Sequence, residues 1–368
     1  MNEITTLSDS DIDSLSAEEL ALLMAESDVA ELLEGPTPVT TVAPVEEIVE
    51  ETEETVEETE TPGIFGAIEA TNKIEEALTF GGVDYEVETF PIRPVISGVG
   101  DEDSPEPEED WMIPNFVGVR RMDDRKVVFG IQTTSYKIVQ NREIFEFIRP
   151  LLEVTGGTFT RVGTLMRGAR MFAFLTLAER IELSNGVYLN QNLAITSSHD
   201  GCRCLEVSMV ATLADTGTIV SKGKAYELRH TRNVHVRLDQ VVKIMEIKNE
   251  FFLGLTEKVA ALKDVTMTDA DANTWLEKFL EFPEQKDVTV HASKVAAKER
   301  ILVAFKRAVT AGNTRLAMAL AVAHDRSHTV PVKETKRFQS EAESRFRSVL
   351  TGSSSEALEE AWASLLAK

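Results

Sequence analysis

From Trp111 to about Arg232 the apolar and polar positions alternate with a period of mostly two. Beyond Val234 the period lengthens to that of an amphipathic helix, about 3.6. In the first region KVVFGIQTTSYKIVQ, Lys126–Gln140, predicts a strand and then a turn. Asn141 is the expected N-cap of a helix REIFEFIRPLLEVT, whose inward stripe is Ile144, Phe145, Ile148 and Leu151 or Leu152, and which Pro150 must kink or shorten. Gly156-Gly157 predicts a turn. Thr158–Leu177 predicts a hairpin turning near Arg167-Gly168, and Val187–Gly201 with Cys202–Leu213 a second antiparallel pair turning at Asp200-Gly201. In the second region helices are predicted over Val234–Leu262, Asp269–Leu280, Ser293–Thr310, Thr314–Ala323, Glu334–Leu350 and Ser354–Ala367, the last with a capping box of Ser353 and Glu356.

Strands followed by helices define an α+β protein with an antiparallel β-rich first half and a helical second half, preceded by a long acidic N-terminal tail. The tail, residues 1–62, holds one expected short helix near 17–33, with Ser16 and Glu19 as capping box and Gly35-Pro36 as stop. Residues 37–62 follow as Thr/Val/Glu/Pro low-complexity sequence, expected to be disordered because it has too little apolar surface to offset chain entropy. Residues 63–110 predict a helix Ala67–Leu78, a strand Val83–Phe90 and an acidic linker Gly98–Asp110. The main α+β domain spans 111–350, strand-rich over 111–232 and helical over 233–350, and 351–368 form a C-terminal helix.

Charge sharpens this division. Of the net −24, residues 1–110 account for −30, with 32 acidic and two basic residues, and residues 111–368 for +6. A basic body behind an acidic arm is a pattern of nucleic-acid contact, and equally of a solubilising tail; the tail could also dock on a protein partner. The two cysteines, Cys202 and Cys204, stand too close for an unstrained disulfide, and the longest apolar run, Leu316–Ala323, is too short to cross a bilayer. With no basic leader at Met1, the expectation is a cytoplasmic protein without membrane association. Oligomerisation is left open.

Two histidine-bearing stretches draw attention, SSHDG at 197–201 and LRHTRNVHVR at 228–237. A metal-dependent enzyme built on His199, Asp200, His230 and His324 is one reading, but Cys202-x-Cys204 with an upstream histidine is no standard zinc spacing. His324-Asp325-Arg326-Ser327-His328 is similar to the zincin pair of histidines, with Asp325 where the base would stand. Ser198-His199-Asp200 are adjacent in sequence, unlike a triad assembled by a fold, and TGTIVSKG at 216–223 is only loosely like a phosphate loop. The expectation is therefore a non-catalytic protein with no cofactor and no bound metal. The alternative to chemistry is a grip on nucleic acid. Its candidate residues are Arg142, Arg167, Arg170, Ser198, His199, Asp200, Arg203, Arg229, His230, Arg232, Asn233 and Arg237, joined by Arg161, Lys222 and Lys224, with His199 and His230 as hydrogen-bond donors and Asp200-Gly201 shaping the turn that presents them. Tyr136, Phe159 and Tyr226 are the candidate base-stacking rings.

YKIVQNREIFEFIRPLLEVTGGTFTRVGTLMRGARMFAFLTL, LAITSSHDG and LRHTRNVHVRL resemble, in this order, a domain-of-unknown-function family of phages, prophages and plasmids, over roughly residues 80–350. GGVDYEVE, 81–88, resembles its opening strand, and ALAVAHDRSH, 319–328, its C-terminal Asp-His segment. Its Trp-His-Gly motif is absent, and VATLADTGTIVS, 210–221, stands where a Cys-Gln-Asn-Thr-Leu-like block is expected. The resemblance implies a phage setting in an infected or lysogenic bacterium, and no activity. Its strand-then-helix layout is similar to single-strand annealing proteins of the RecT and Erf type. The resulting expectation is a single-stranded DNA-binding protein of replication or recombination whose acidic tail competes with DNA, so that deleting residues 1–110 tightens binding. The alternative from a different class is a structural or host-interaction phage protein that docks through the tail.

Overall fold

A computed structural model describes residues 64–93, 112–184, 186–228, 238–282, 288–307, 312–332 and 340–367. The expected tail helix, the low-complexity stretch, the 98–110 linker and Arg229–Arg237 lie outside the described residues. The chain divides at Pro62, and the unit from Gly63 to Lys368 is the one described here.

Its strands are β1 Ala67–Thr71, β2 Val87–Pro91, β3 Phe116–Arg121, β4 Val128–Thr133, β5 Thr158–Leu165, β6 Arg170–Ser184, β7 Val187–Ser198, β8 Leu205–Leu213 and β9 Ile219–Leu228. Its helices are α1 Ile74–Phe80, α2 Asn141–Phe147, α3 Arg149–Thr155, α4 Leu238–Lys263, α5 Asp269–Phe279, α6 Val288–Arg307, α7 Arg315–His324, α8 Glu341–Thr351 and α9 Ser353–Leu366, with a π-helical turn Asp325–Thr329 directly after α7. The α+β class and the antiparallel strands followed by helices are as expected. β5 to β9 form a consecutive antiparallel meander, and β1 adds at the outer edge of β5 to give a six-stranded sheet; β2, β3 and β4 make a separate three-stranded sheet.

The long meander strands are buried on both faces: β8 is buried from Leu205 to Thr212 and β7 from Gln191 to Ser198. Alternation places Phe159 and Phe174 on opposite faces. Phe159 meets Phe145 of α2 at 5.3 Å, whereas Phe172 and Phe174 meet Phe346 of α8 at 4.6 and 5.9 Å. Helices therefore cover the sheet on two sides, which explains why its strands read as near-continuous apolar runs.

Several local expectations change. Ala67–Thr71 is a strand, not the start of a helix, because pairing with β5 satisfies its backbone. The N-cap of α2 is Gln140, not Asn141: the Glu143 carboxylate accepts the Gln140 N–H at 2.7 Å, and the Gln140 amide bonds both backbone groups of Val87. Pro150 ends α2, as expected, and starts α3, where its missing N–H costs nothing. Gly156 closes α3 in the left-handed region, φ 58°. The Ser353–Glu356 box does not form; Gly352 holds the cap position of α9, and Ser354 hydrogen-bonds Ser348 across the α8–α9 corner.

Phe346 is the ring that joins α8 to the sheet, in contact with Phe65, Phe172 and Phe174. Phe346→Ala is expected to remove about 3–5 kcal/mol of stability, read as a lowered urea midpoint in equilibrium unfolding.

Candidate nucleic-acid interface

The turn between β7 and β8 is built inward. Ser198 Oγ accepts the Arg203 N–H and donates to the Arg203 carbonyl, both at 3.0 Å, which closes the loop between the strands. Within it the Asp200 carboxylate takes the Cys202 N–H at 3.0 Å and both Nε and a terminal nitrogen of Arg170 at 2.9 Å. Burial pushes the Asp200 carboxyl up, but the Cys202 N–H and the Arg170 charge outweigh it and hold the group below the usual carboxylate range. His199 is 1% exposed. Its Nε2 lies 2.9 Å from Asn141 Oδ1, and the Asn141 Nδ2 donates to the Val83 carbonyl, so Oδ1 is the acceptor and His199 Nε2 carries the hydrogen. Phe129 stacks on the imidazole at 5.8 Å.

The small sheet closes over this end of the large one. Gln132 donates to the Asp200 carbonyl, Tyr85 donates to the Gly168 carbonyl, and Arg121 lies 4.0 Å over the Tyr85 ring. Arg170, Ser198, His199, Asp200 and Arg203 thus come together with the Arg167-Gly168 turn as an internal hydrogen-bonded knot. Ser198 and His199 are buried and present no donor outward, which corrects their expected role as DNA contacts. Of the residues in the enzyme reading, His199 is buried and Asp200 is bonded to Arg170. Arg203 donates to the Thr351 carbonyl and approaches Glu206 at 3.5 Å. Arg142 stands elsewhere, paired with Glu75 and Asp84 on the surface. Arg167, like Arg142, is exposed, and its φ is 60°. Arg229, His230, Arg232, Asn233 and Arg237 lie outside the described residues.

The expected stacking rings are not presented either. Phe159 is fully buried, Tyr226 is half-buried against the core, and the Tyr136 hydroxyl is buried, its pKa pushed up to about 12 by desolvation and the nearby Asp200 charge. Arg161 and Lys222 likewise bind within the fold, Lys222 to Glu206 at 3.1 Å.

The outer face of the small sheet is different, and the sequence reading missed it. Register puts Phe116, Gly118 and Arg120 of β3 on one face with Phe90 and Glu88 of β2 and Val128 and Ile131 of β4. Phe116 is 46% exposed and Ile131 62%. Phe90 lies across Gly118, where a Cβ would meet the ring at 2.3 Å, and Arg120 stacks on Phe90 at 4.5 Å while bonding Glu88. The period-two pattern was a signal for strands here; both faces carry apolar residues, so it did not say which faces outward.

The zincin-like stretch also differs from expectation. The helix passes into a π turn at Asp325, so His324 and His328 are not on an ordinary helical face; their rings lie 4.9 Å apart. His328 Nε2 is bonded to Thr218 Oγ1 at 2.8 Å, and Asp325 is fully buried and paired with Arg300. Among the described residues no three His, Cys, Asp or Glu side chains converge as metal ligands, and no helix is long and apolar enough to cross a membrane.

A two-sided antiparallel sheet with a second, half-open sheet at its end defines the class of protein. The chain belongs to the DUF932 family, a domain of unknown function, whose model matches residues 128–350. No curated protein and no solved structure matches the chain.

Two measurements probe the knot and the π turn. Asp200→Ala leaves the Arg170 guanidinium half-buried without its carboxylate and is expected to cost about 3–5 kcal/mol in urea unfolding, more than the change of both residues to apolar ones. The His328 imidazole is pushed down to about 4, first by burial and then by the charges of His324, Arg161 and Arg345. The unfolded chain binds a proton there from 6.5 downward, so this contribution is present above pH 6.5 and is lost as pH falls toward 4. Unfolding measured across that window should show His328→Gln flattening the pH dependence by about 1–2 kcal/mol, given partial solvent access.

Proposed function

We propose that this protein is a non-catalytic single-stranded nucleic-acid-binding protein of phage or plasmid origin, acting in the bacterial cytoplasm in replication or recombination. The observation that carries the reading is the solvent-facing side of the small sheet. Phe116 presents an exposed ring on a rigid, strand-built platform, Arg120 covers the neighbouring Phe90 ring, and Arg125, whose side chain is 66% exposed, stands beside Arg120 at the shared Glu88 carboxylate. Single strands are bound without sequence readout by stacking of bases on such rings while cations follow the phosphates. The segregated charge supports the same reading, since the body is basic and the first 110 residues are acidic. The knot around Asp200 then acts as the support that holds the small sheet against the large one.

The acidic tail competes with nucleic acid for the body. Because β1, α1 and β2 lie before residue 93, the deletion that tests competition removes residues 1–62 rather than 1–110.

Fluorescence anisotropy of the full chain on single- and double-stranded oligonucleotides over a salt series is the test. The expected result is a preference for single strands, with log affinity falling linearly against log salt. Phe116→Ala should weaken binding by about 1–3 kcal/mol, the worth of one stacked base, and removal of residues 1–62 should strengthen it. Absence of binding to any oligonucleotide at low salt overturns the proposal.

A further inference from the structure

A cleft of about 620 Å³ opens on the other side of the molecule, between α6, α7, the π turn and the turns that begin β7 and follow β8. Clefts of this size hold small organic ligands. Its wall is aliphatic: Val187, Leu213, Val303, Ala304, Leu320 and Ala321 line it, and among the described residues no phenyl, phenol or indole ring does.

Its polar end is made of donors. Arg300 is held by one edge, its Nε bonded to the buried Asp325 at 2.8 Å, and its terminal amino groups have no hydrogen-bond partner among the described residues. Arg307, two turns further along α6, forms no ion pair among the described residues, although its neighbour Lys306 does. His324 completes the set at the end of α7, where the chain passes into the π turn, a departure from helix geometry frequent at functional sites. The acids of the cleft, Glu299 and Asp215, are exposed at its rim, where water screens them. One carboxylate, Asp325, serves Arg300 from behind, outside the cleft lining, as a positioning residue.

We infer that this cleft binds an aliphatic carboxylate, the chain along the Val187–Leu213–Leu320 wall and the carboxylate between Arg300, Arg307 and His324. A guanidinium whose terminal nitrogens are unoccupied matches the two oxygens of a carboxylate in a bidentate pair. The aliphatic lining of the described residues disfavours a nucleotide, whose base would find no aromatic ring among them to stack on. The site is independent of the small-sheet platform, so it can succeed or fail apart from the nucleic-acid reading.

The test is isothermal titration of the full-length protein with decanoate, decanol and ATP, with thermal melts to confirm that each variant is folded. Decanoate is expected to bind with a Kd of about 1–100 μM, and decanol at least about tenfold more weakly. Arg307→Ala, a change at an exposed position, should weaken decanoate about tenfold or more while leaving decanol unchanged. Ala296→Trp, also exposed and on the cleft wall, should abolish binding of both. No decanoate binding, equal binding of decanol, tighter binding of ATP, or indifference to both variants would each overturn the proposal.

Discussion

The fold depends on one buried cation. Arg161 of β5 is 7% exposed and, among the described residues, has no carboxylate partner. Its Nε and one terminal nitrogen donate to the Phe65 carbonyl at 3.0 and 2.8 Å and the other to the Gly217 carbonyl at 3.1 Å, and its guanidinium lies over Phe346 at 4.5 Å and Phe174 at 5.0 Å. Burial lowers its pKa to about 10, still well above neutrality, so the charge persists inside the protein. Ring faces and carbonyl oxygens together supply the negative potential that a carboxylate would supply elsewhere. Through this one side chain the segment before β1, the β8–β9 turn, the centre of the sheet and α8 share an anchor.

The same economy of polar groups governs the rest of the body. An antiparallel sheet covered on both faces leaves little surface for cations, so those on its strands are drawn into the structure, Arg170 to Asp200 and Lys222 to Glu206, and Lys248 of the covering helix α4 is tied to Glu179 of β6. Basic residues that look like a binding surface along the chain become internal ties. What remains free for recognition lies where the covering stops, on the outer face of the small sheet and in the cleft beside α6 and α7. The first combines aromatic rings with arginine on a flat support, the second combines aliphatic wall with unoccupied guanidinium nitrogens.

Much of the architecture was legible in the chain. The two hairpins around Arg167-Gly168 and Asp200-Gly201, the break at Pro150, the turn at Gly156 and the helix over Asp269–Phe279 each rest on local chemistry: a turn residue, a missing N–H, a left-handed glycine, a cap. Where a local signal competed with a distant partner, the partner won. Ala67–Thr71 has helix-forming residues yet pairs with β5, and Asn141 is a good cap yet points inward to Val83 and His199. The candidate site was legible in part. Arg170, Ser198, His199, Asp200 and Arg203 do assemble, but sequence spacing carries no information on which side of a turn a side chain takes.

The sequence by itself determined the class of fold, a strand-rich half followed by a helical half, and the segregation of charge, because periodicity, turn chemistry and composition act within a few residues of each other. Tertiary structure alone decided which polar groups stay available. A histidine in SSHDG is a ligand, a donor or a packed ring according to what lies 2.9 Å from its nitrogen, and here Asn141, 58 residues away, settles it. Likewise Phe116 and Ile131 follow the same alternation as buried strand residues, and become a surface because no element of the described chain packs over that face of the small sheet.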